Sequence, residues 1–149
     1  MSFRLTSAAF REGETIPVTY TADGANQSPP LAWSEPPDGT ASLALVCEDP
    51  DAPRGTWVHW VLFNLPADLR SLDEDASAIE AAIEGKNDFG DLGYGGPAPP
   101  RGKPHRYYFK LYAVACQVKL PAGASRAQLS AALNGHVLAE ASLMGKYQR

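Results

Sequence analysis

The sequence predicts an all-β domain, and three observations carry that expectation. Thirteen glycines and thirteen prolines are spread over 149 residues, a density of turn formers that favours short extended elements over long helices. Two segments, Ala41 to Glu48 and Arg106 to Cys116, follow the period of two that a pleated strand imposes on its side chains. A third, Trp57 to Leu65, is apolar on both faces, which marks a strand buried between layers. The length fits one domain over residues 1–149, a size that buries roughly 68–70% of its unfolded surface.

Taken in order, residues 1–20 read as extended pieces around Ile16-Pro17-Val18, closing at the turn signal Asp23-Gly24. Ser28-Pro29-Pro30-Leu31 and Glu35-Pro36-Pro37-Asp38-Gly39 bracket a short strand carrying Trp33. In Ala41 to Glu48, Leu43, Leu45 and Cys47 share one face, and Asp49 continues it past the strand end. In Trp57 to Leu65, simple alternation puts His59, Val61 and Phe63 on one face and Val58, Trp60 and Leu62 on the other. Residues 67–92 are weakly patterned, with one or two helical turns expected over the alanine-rich Ala76 to Ile83. Arg106 to Cys116 is the strongest strand, its Tyr107, Phe109, Leu111 and Ala113 on the face of His105. Ser125 is placed to cap a helix whose Leu129, Ala132, Leu133 and Val137 keep helical spacing, with Asn134-Gly135 as its stop. A second helical stretch is expected from His136 to Tyr147.

Composition bounds the function. With 44% hydrophobic and 20% charged residues the chain is an ordinary globular protein, and a net charge of -4 argues against a nucleic-acid footprint, which needs clustered positive charge. No segment approaches the roughly 20 apolar residues of a membrane span. Arg4 and Arg11 interrupt the opening where a signal peptide needs an apolar core, so a cytoplasmic location is expected. Cys47 and Cys116 lie in apolar runs and read as two buried thiols rather than a disulfide or a catalytic thiol.

Chemistry concentrates in two stiff loops. Asp49-Pro50-Asp51-Ala52-Pro53 holds two carboxylates in a backbone that two prolines restrain, and His59 follows in Trp57-Val58-His59-Trp60. The run Gly93 to Pro104 is a Gly/Pro loop that delivers His105 onto a strand. Exposed N–H groups of a Gly-rich loop form a concavity that accepts anions, and imidazole N–H groups and the Tyr107 hydroxyl add donors. A carboxylate beside a histidine fixes its tautomer and favours its charged ring. The plainer reading makes Asp49 and Asp51 the acceptors of an Asx turn.

These motifs resemble those of the phosphatidylethanolamine-binding proteins, which include the Raf kinase inhibitor proteins, in their bacterial and archaeal form. The resemblance runs over nearly the full chain: Ser28-Pro29-Pro30-Leu31-x-Trp33, Asp49-Pro50-Asp51-Ala52-Pro53, Trp57-x-His59-Trp60, Asn64-x-Pro66, Gly85-x-Asn87-Asp88-Phe89-Gly90, and Gly93-Tyr94-x-Gly96-Pro97 through His105-Arg106-Tyr107. It continues in Gly135-His136-Val137-Leu138-Ala139 and closes on Gly145-x-Tyr147. It implies a β-sandwich of two antiparallel sheets with short peripheral and C-terminal helices. It also implies a small pocket for phosphate-like anions or phospholipid headgroups, formed by Asp49, Asp51, Pro53, His59, Gly96, Pro97, His105 and Tyr107. Regulation of a kinase or protease partner, pairing as a homodimer, and no cofactor complete what it implies. One departure is visible: only Arg54, Gly55 and Thr56 separate Pro53 from Trp57, a segment that is longer in the eukaryotic members.

The enzymatic alternative uses the same residues, since Asp49, Asp51, His59 and His105 are the ligand types of a hydrolytic metal site. No His-x-His or His-Glu-x-x-His spacing supports it. A Gly-x-Ser-x-Gly nucleophile elbow is absent, and the glycine run lacks the Lys-Ser/Thr ending of a nucleotide-binding loop.

Overall fold

The computed structural model describes residues 3–76 and 82–149. In chain order its elements are β1 (Leu5–Thr6), a 3-10 turn (Val18–Tyr20), β2 (Leu31–Trp33), β3 (Ser42–Asp49), β4 (Trp57–Pro66), β5 (Ser71–Leu72), β6 (Ile83–Glu84), β7 (His105–Val114), α1 (Arg126–Leu133) and β8 (Val137–Tyr147). The strands make two antiparallel sheets, one ordered β1-β2-β5 and the other β6-β4-β3-β7-β8. The all-β expectation, with minor helix, holds.

Three layers result. Leu43, Leu45 and Cys47 of β3 and Tyr107, Phe109 and Leu111 of β7 pack toward the small sheet, where Leu5, Leu31, Trp33 and Leu72 meet them. Ala44, Val46, Val61 and Phe63 face the opposite way and are covered by Leu129 and Leu133 of α1. All eight residues of β3 are buried, as a strand sandwiched on both faces requires. The helix begins as the sequence indicates. Ser125 accepts from the Gln128 N–H while the Gln128 side chain accepts from the Ser125 N–H, a complete capping box.

The second helix expected from His136 to Tyr147 is corrected: Val137–Tyr147 forms β8, the longest strand. Alanine, leucine, methionine and glutamate are good helix formers, but Ala141, Leu143 and Gly145 alternate inward against β7 while Glu140 and Lys146 stay exposed. Tertiary packing overrides propensity here. Gly145 is required by a close approach, since a Cβ there would stand 2.5 Å from Ile16 Cγ1 and 2.7 Å from Phe10 Cε2. Of the helical turns expected over 76–83, residues 77–81 lie outside those described, and Ile83 opens β6. Val18 belongs to the 3-10 turn instead of an extended piece. Cys47 is buried as expected, whereas Cys116 lies beyond the end of β7 and is only half-buried; both thiols are free.

A β-bulge in β4 positions the site. Cys47 pairs with Trp60 and Glu48 with Val58, so His59 is an extra residue with no partner on β3. Its ring is thereby turned to the face of Tyr107, 5.2 Å away between ring centroids, rather than to the Val61 and Phe63 face that unbroken alternation assigns it. No helix among the described residues is long and apolar enough to cross a membrane.

Candidate functional site

The ends of β3, β4 and β7 meet the two Pro-rich loops around a cavity of about 170 Å³. Asp49, Pro53, His59, His105 and Tyr107 line it, joined by Ala52, Trp57, Phe89, Ala98, Pro99 and Pro100. Five of the eight residues expected at the pocket therefore converge.

Asp49 is the organising group. It ends β3 almost fully buried, and its Oδ2 accepts from His105 Nδ1 at 2.7 Å, across the two strands on one sheet face. Its Oδ1 accepts the Asp51 N–H at 2.8 Å. The Asx turn and the carboxylate–histidine pair are thus one structure, and each oxygen of a buried carboxylate finds a donor, as burial demands. That bond engages Nδ1 and leaves Nε2 as the His105 ring nitrogen outside it.

His59 donates from Nδ1 to the Gly95 carbonyl at 2.6 Å, and the Gly95 N–H returns to the His59 carbonyl at 2.9 Å. Its ring is wedged edge-on against Phe89 and Tyr107. Burial holds its pKa below the usual histidine value, against the carbonyls of Gly95 and Gly96 and the charges of Asp49 and Asp88, so the ring is neutral at neutral pH. Tyr107 is fully buried, and its hydroxyl has no hydrogen-bond partner among the described residues. Asp49 lies close by, but the geometry falls short of a bond. Burial first, and the Asp49 charge second, push the Tyr107 pKa far above its ordinary value, so the hydroxyl keeps its proton as a donor.

Three expected members sit apart from the lining. Asp51 turns outward into a two-pronged pair with Arg106, Nε to Oδ2 at 2.9 Å and Nη2 to Oδ1 at 2.8 Å, and it also accepts the Arg106 N–H. Those bonds hold its carboxyl down to about 2 and staple the Asp-Pro loop to the start of β7. Gly96 and Pro97 lie behind the wall. The Gly96 N–H is taken by Asn26 Oδ1 at 2.8 Å and the Pro97 carbonyl accepts from Ala22 N–H. A Cβ on Gly96 would stand 2.6 Å from the Tyr20 carbonyl oxygen, so this glycine serves a close backbone approach. With the Gly95 N–H also committed, these two loop amides do not form the anion cradle that composition suggested; residues 98–100 supply the wall instead.

Of the aromatic side of the cavity, Trp57 reads from the sequence as core or pocket wall, while Phe89 has no role assigned there. Trp57 and Phe89 meet edge-to-face at 5.5 Å and remain 37% and 44% exposed, so two large rings stand open at the mouth. Phe89 is held by Asn87, a buried amide whose Oδ1 accepts from the N–H groups of Phe89 and Asp91 and whose Nδ2 donates to the Gly93 carbonyl. Asp88 fastens the same loop to β4 by accepting the Val58 N–H at 2.7 Å. The signal was an aromatic inside a polar turn, Asn87-Asp88-Phe89-Gly90. Among the described residues, no three His, Cys, Asp or Glu side chains gather as a metal-binding set.

Comparison with known proteins agrees with this architecture. The family model described as phosphatidylethanolamine-binding protein matches residues 6–148. A Methanothermobacter thermautotrophicus protein named UPF0098 protein is 48% identical over 149 residues, covering 97% of this chain and 98% of its own. Among solved structures, a Chlamydia trachomatis protein described as a phosphatidylethanolamine-binding protein homologue superposes with a TM-score of 0.93 at 40% identity, covering 99% of this chain and 98% of that one. Escherichia coli YbcL, described as a new member of the mammalian family, superposes with a TM-score of 0.94 at 35% identity, covering 100% and 99%.

Proposed function

The chain belongs to the phosphatidylethanolamine-binding protein family, and from that premise we propose that it is a small binding protein whose cavity receives a phosphate-like anion, free or as a phospholipid headgroup. The observation that carries the reading is the Tyr107 hydroxyl, a protonated, fully buried donor without a hydrogen-bond partner among the described residues, at a cavity that also holds two imidazoles. Unmet buried donors are costly, about 1–3 kcal/mol, and an oxyanion removes that cost. His105, its Nδ1 fixed by Asp49, supplies the second contact, and Asp49 offers an acceptor to an ammonium group carried beside the phosphate. Asp51, Gly96 and Pro97 act in this reading as supports, holding the two loops in place.

The role is binding, not catalysis, with the bound state read by a protein partner of the kinase or protease class. The two free thiols suit a reducing cytoplasm, and a homodimer is the assembly the family resemblance implies. The test is calorimetric titration of the purified protein with inorganic phosphate and with O-phosphoethanolamine. His105→Ala should weaken both about tenfold to a hundredfold, the worth of one hydrogen bond to a charged group. Unchanged affinity in a folded His105→Ala protein would place the anion elsewhere. Release of product from the phosphoethanolamine would favour the hydrolase reading of the same Asp49–His105 pair.

A further inference from the structure

The charge balance of the cavity goes beyond its shape. The one acid in the lining is Asp49, and no lysine or arginine belongs to it. Two nearby cations have other partners: Arg106 is paired with Asp51, and Arg149 is held by Asp23 and the Pro99 carbonyl. Arg54, Arg101 and Lys103 are exposed beside the loops. The amides of Gly95 and Gly96 are spent inside the fold. A dianion entering this space meets one buried negative charge and no permanent positive one, a juxtaposition strongly unfavourable at low dielectric.

We infer that the pocket holds its anion together with a proton, taken up on the His59 imidazole, so that binding is coupled to acidity. The inference rests on the anion-pocket reading above. Both rings use Nδ1 inside the fold and leave Nε2 over, His59 toward the Gly95 carbonyl and His105 toward Asp49; His59 is the suited acceptor because no carboxylate among the described residues is bonded to it, so the bound anion itself supplies the counter-charge. The groups packed around the ring determine the response. From β3, Asp49 favours the charged ring; from the 87–93 loop, Asp88 does the same; from the 94–97 segment, the carbonyls of Gly95 and Gly96 do so as well. From β7 come Tyr107 and His105, the latter already engaged with Asp49. Phe89 packs edge-on against the ring. Burial alone opposes the charge, and an anion in contact with the ring removes that opposition. The balance is simple: protein, dianion and one proton give the complex, a single N–H bond forms at Nε2, and nothing is oxidised or reduced.

Sulfate is the probe, because it stays a dianion across the window in which histidine titrates, about pH 5 to 8, so any proton taken up belongs to the protein. Calorimetry in buffers of differing ionisation enthalpy should report uptake of about one proton per sulfate near neutrality, and affinity should rise about tenfold per unit fall in pH. His59→Asn keeps an N–H for the Gly95 carbonyl but cannot titrate, so uptake should vanish and the pH profile flatten. Sulfate binding without proton uptake in the wild-type protein would overturn the inference while leaving the anion pocket standing. Uptake that persists in His59→Asn would overturn it too, moving the proton to His105. Binding of neither sulfate nor phosphate at any pH would remove the pocket reading itself. Should the variant not fold, the wild-type histidine ring NMR signals decide: His59 should take on imidazolium shifts with sulfate, and an unchanged His59 ring refutes the coupling.

Discussion

Tyr107→Phe separates a ligand donor from a structural hydroxyl, because the two roles predict opposite effects on stability. The ring is fully buried among the residues between the sheets, so the substitution keeps its shape and removes one oxygen. That oxygen has no hydrogen-bond partner among the described residues. A buried polar group left unsatisfied costs about 1–3 kcal/mol. Taking the low end, since the Asp49 carboxylate lies near, removal should stabilise the free protein by about 1 kcal/mol, or roughly 2–4 °C in melting temperature for a chain of this size. Phosphate binding should move the other way and weaken about tenfold to a hundredfold, the worth of a hydrogen bond to a charged group. Chemical denaturation and calorimetric titration of the same two proteins measure both effects. A Tyr107→Phe protein that is less stable by about 1 kcal/mol or more, yet binds phosphate unchanged, would show that the hydroxyl serves Asp49 and not a ligand.

Other consequences are independent of that one. Gly145→Val drives a side chain against Ile16 and Phe10 and should destabilise by about 1–3 kcal/mol, seen as a lowered denaturation midpoint. Burial lowers the His59 pKa below its unfolded value of about 6.5, so the unfolded chain binds the proton first. Stability should therefore fall as pH drops below about 6.5 toward the folded value, and His59→Asn should flatten that slope. Asp51 has a folded pKa of about 2 against the ordinary 3.8, so its contribution is present above 3.8, is lost as pH falls through about 2, and should be missing in Asp51→Asn. Denatured without reductant, the protein should titrate as two thiols, Cys47 and Cys116; a titration with no free thiol contradicts the structure.

How much was legible follows from which physical rule governs each segment. In β3 and β7 the period of two is unbroken, so the faces of Leu43, Asp49, His105 and Tyr107 could be read directly, and with them the convergence of Asp49 and His105. The face of His59 could not, because a bulge is set by cross-strand register and leaves no signature in residue type. β8 was misread because its composition suits a helix and only its pairing with β7 makes it a strand. The glycines of the 93–96 run were read as anion donors from their conformational freedom, but their amides go to Gly85, to His59 and to Asn26, the last 70 residues away in sequence. Such long-range satisfaction of backbone groups is invisible to local pattern. The same limit hid the Tyr107 hydroxyl, which has no hydrogen-bond partner among the described residues.

The central claim, that an anion occupies the cavity between the two Pro-rich loops, is tested most directly by titrating isotope-labelled protein with inorganic phosphate and following its amide and histidine ring NMR signals. Signals of His59, Phe89, Gly95, His105 and Tyr107 should shift together along one saturation curve, while those of Leu129 and Leu133 on α1, across the large sheet, stay in place. No saturable shift in the first group, or saturable shifts confined to residues outside it, would contradict the account.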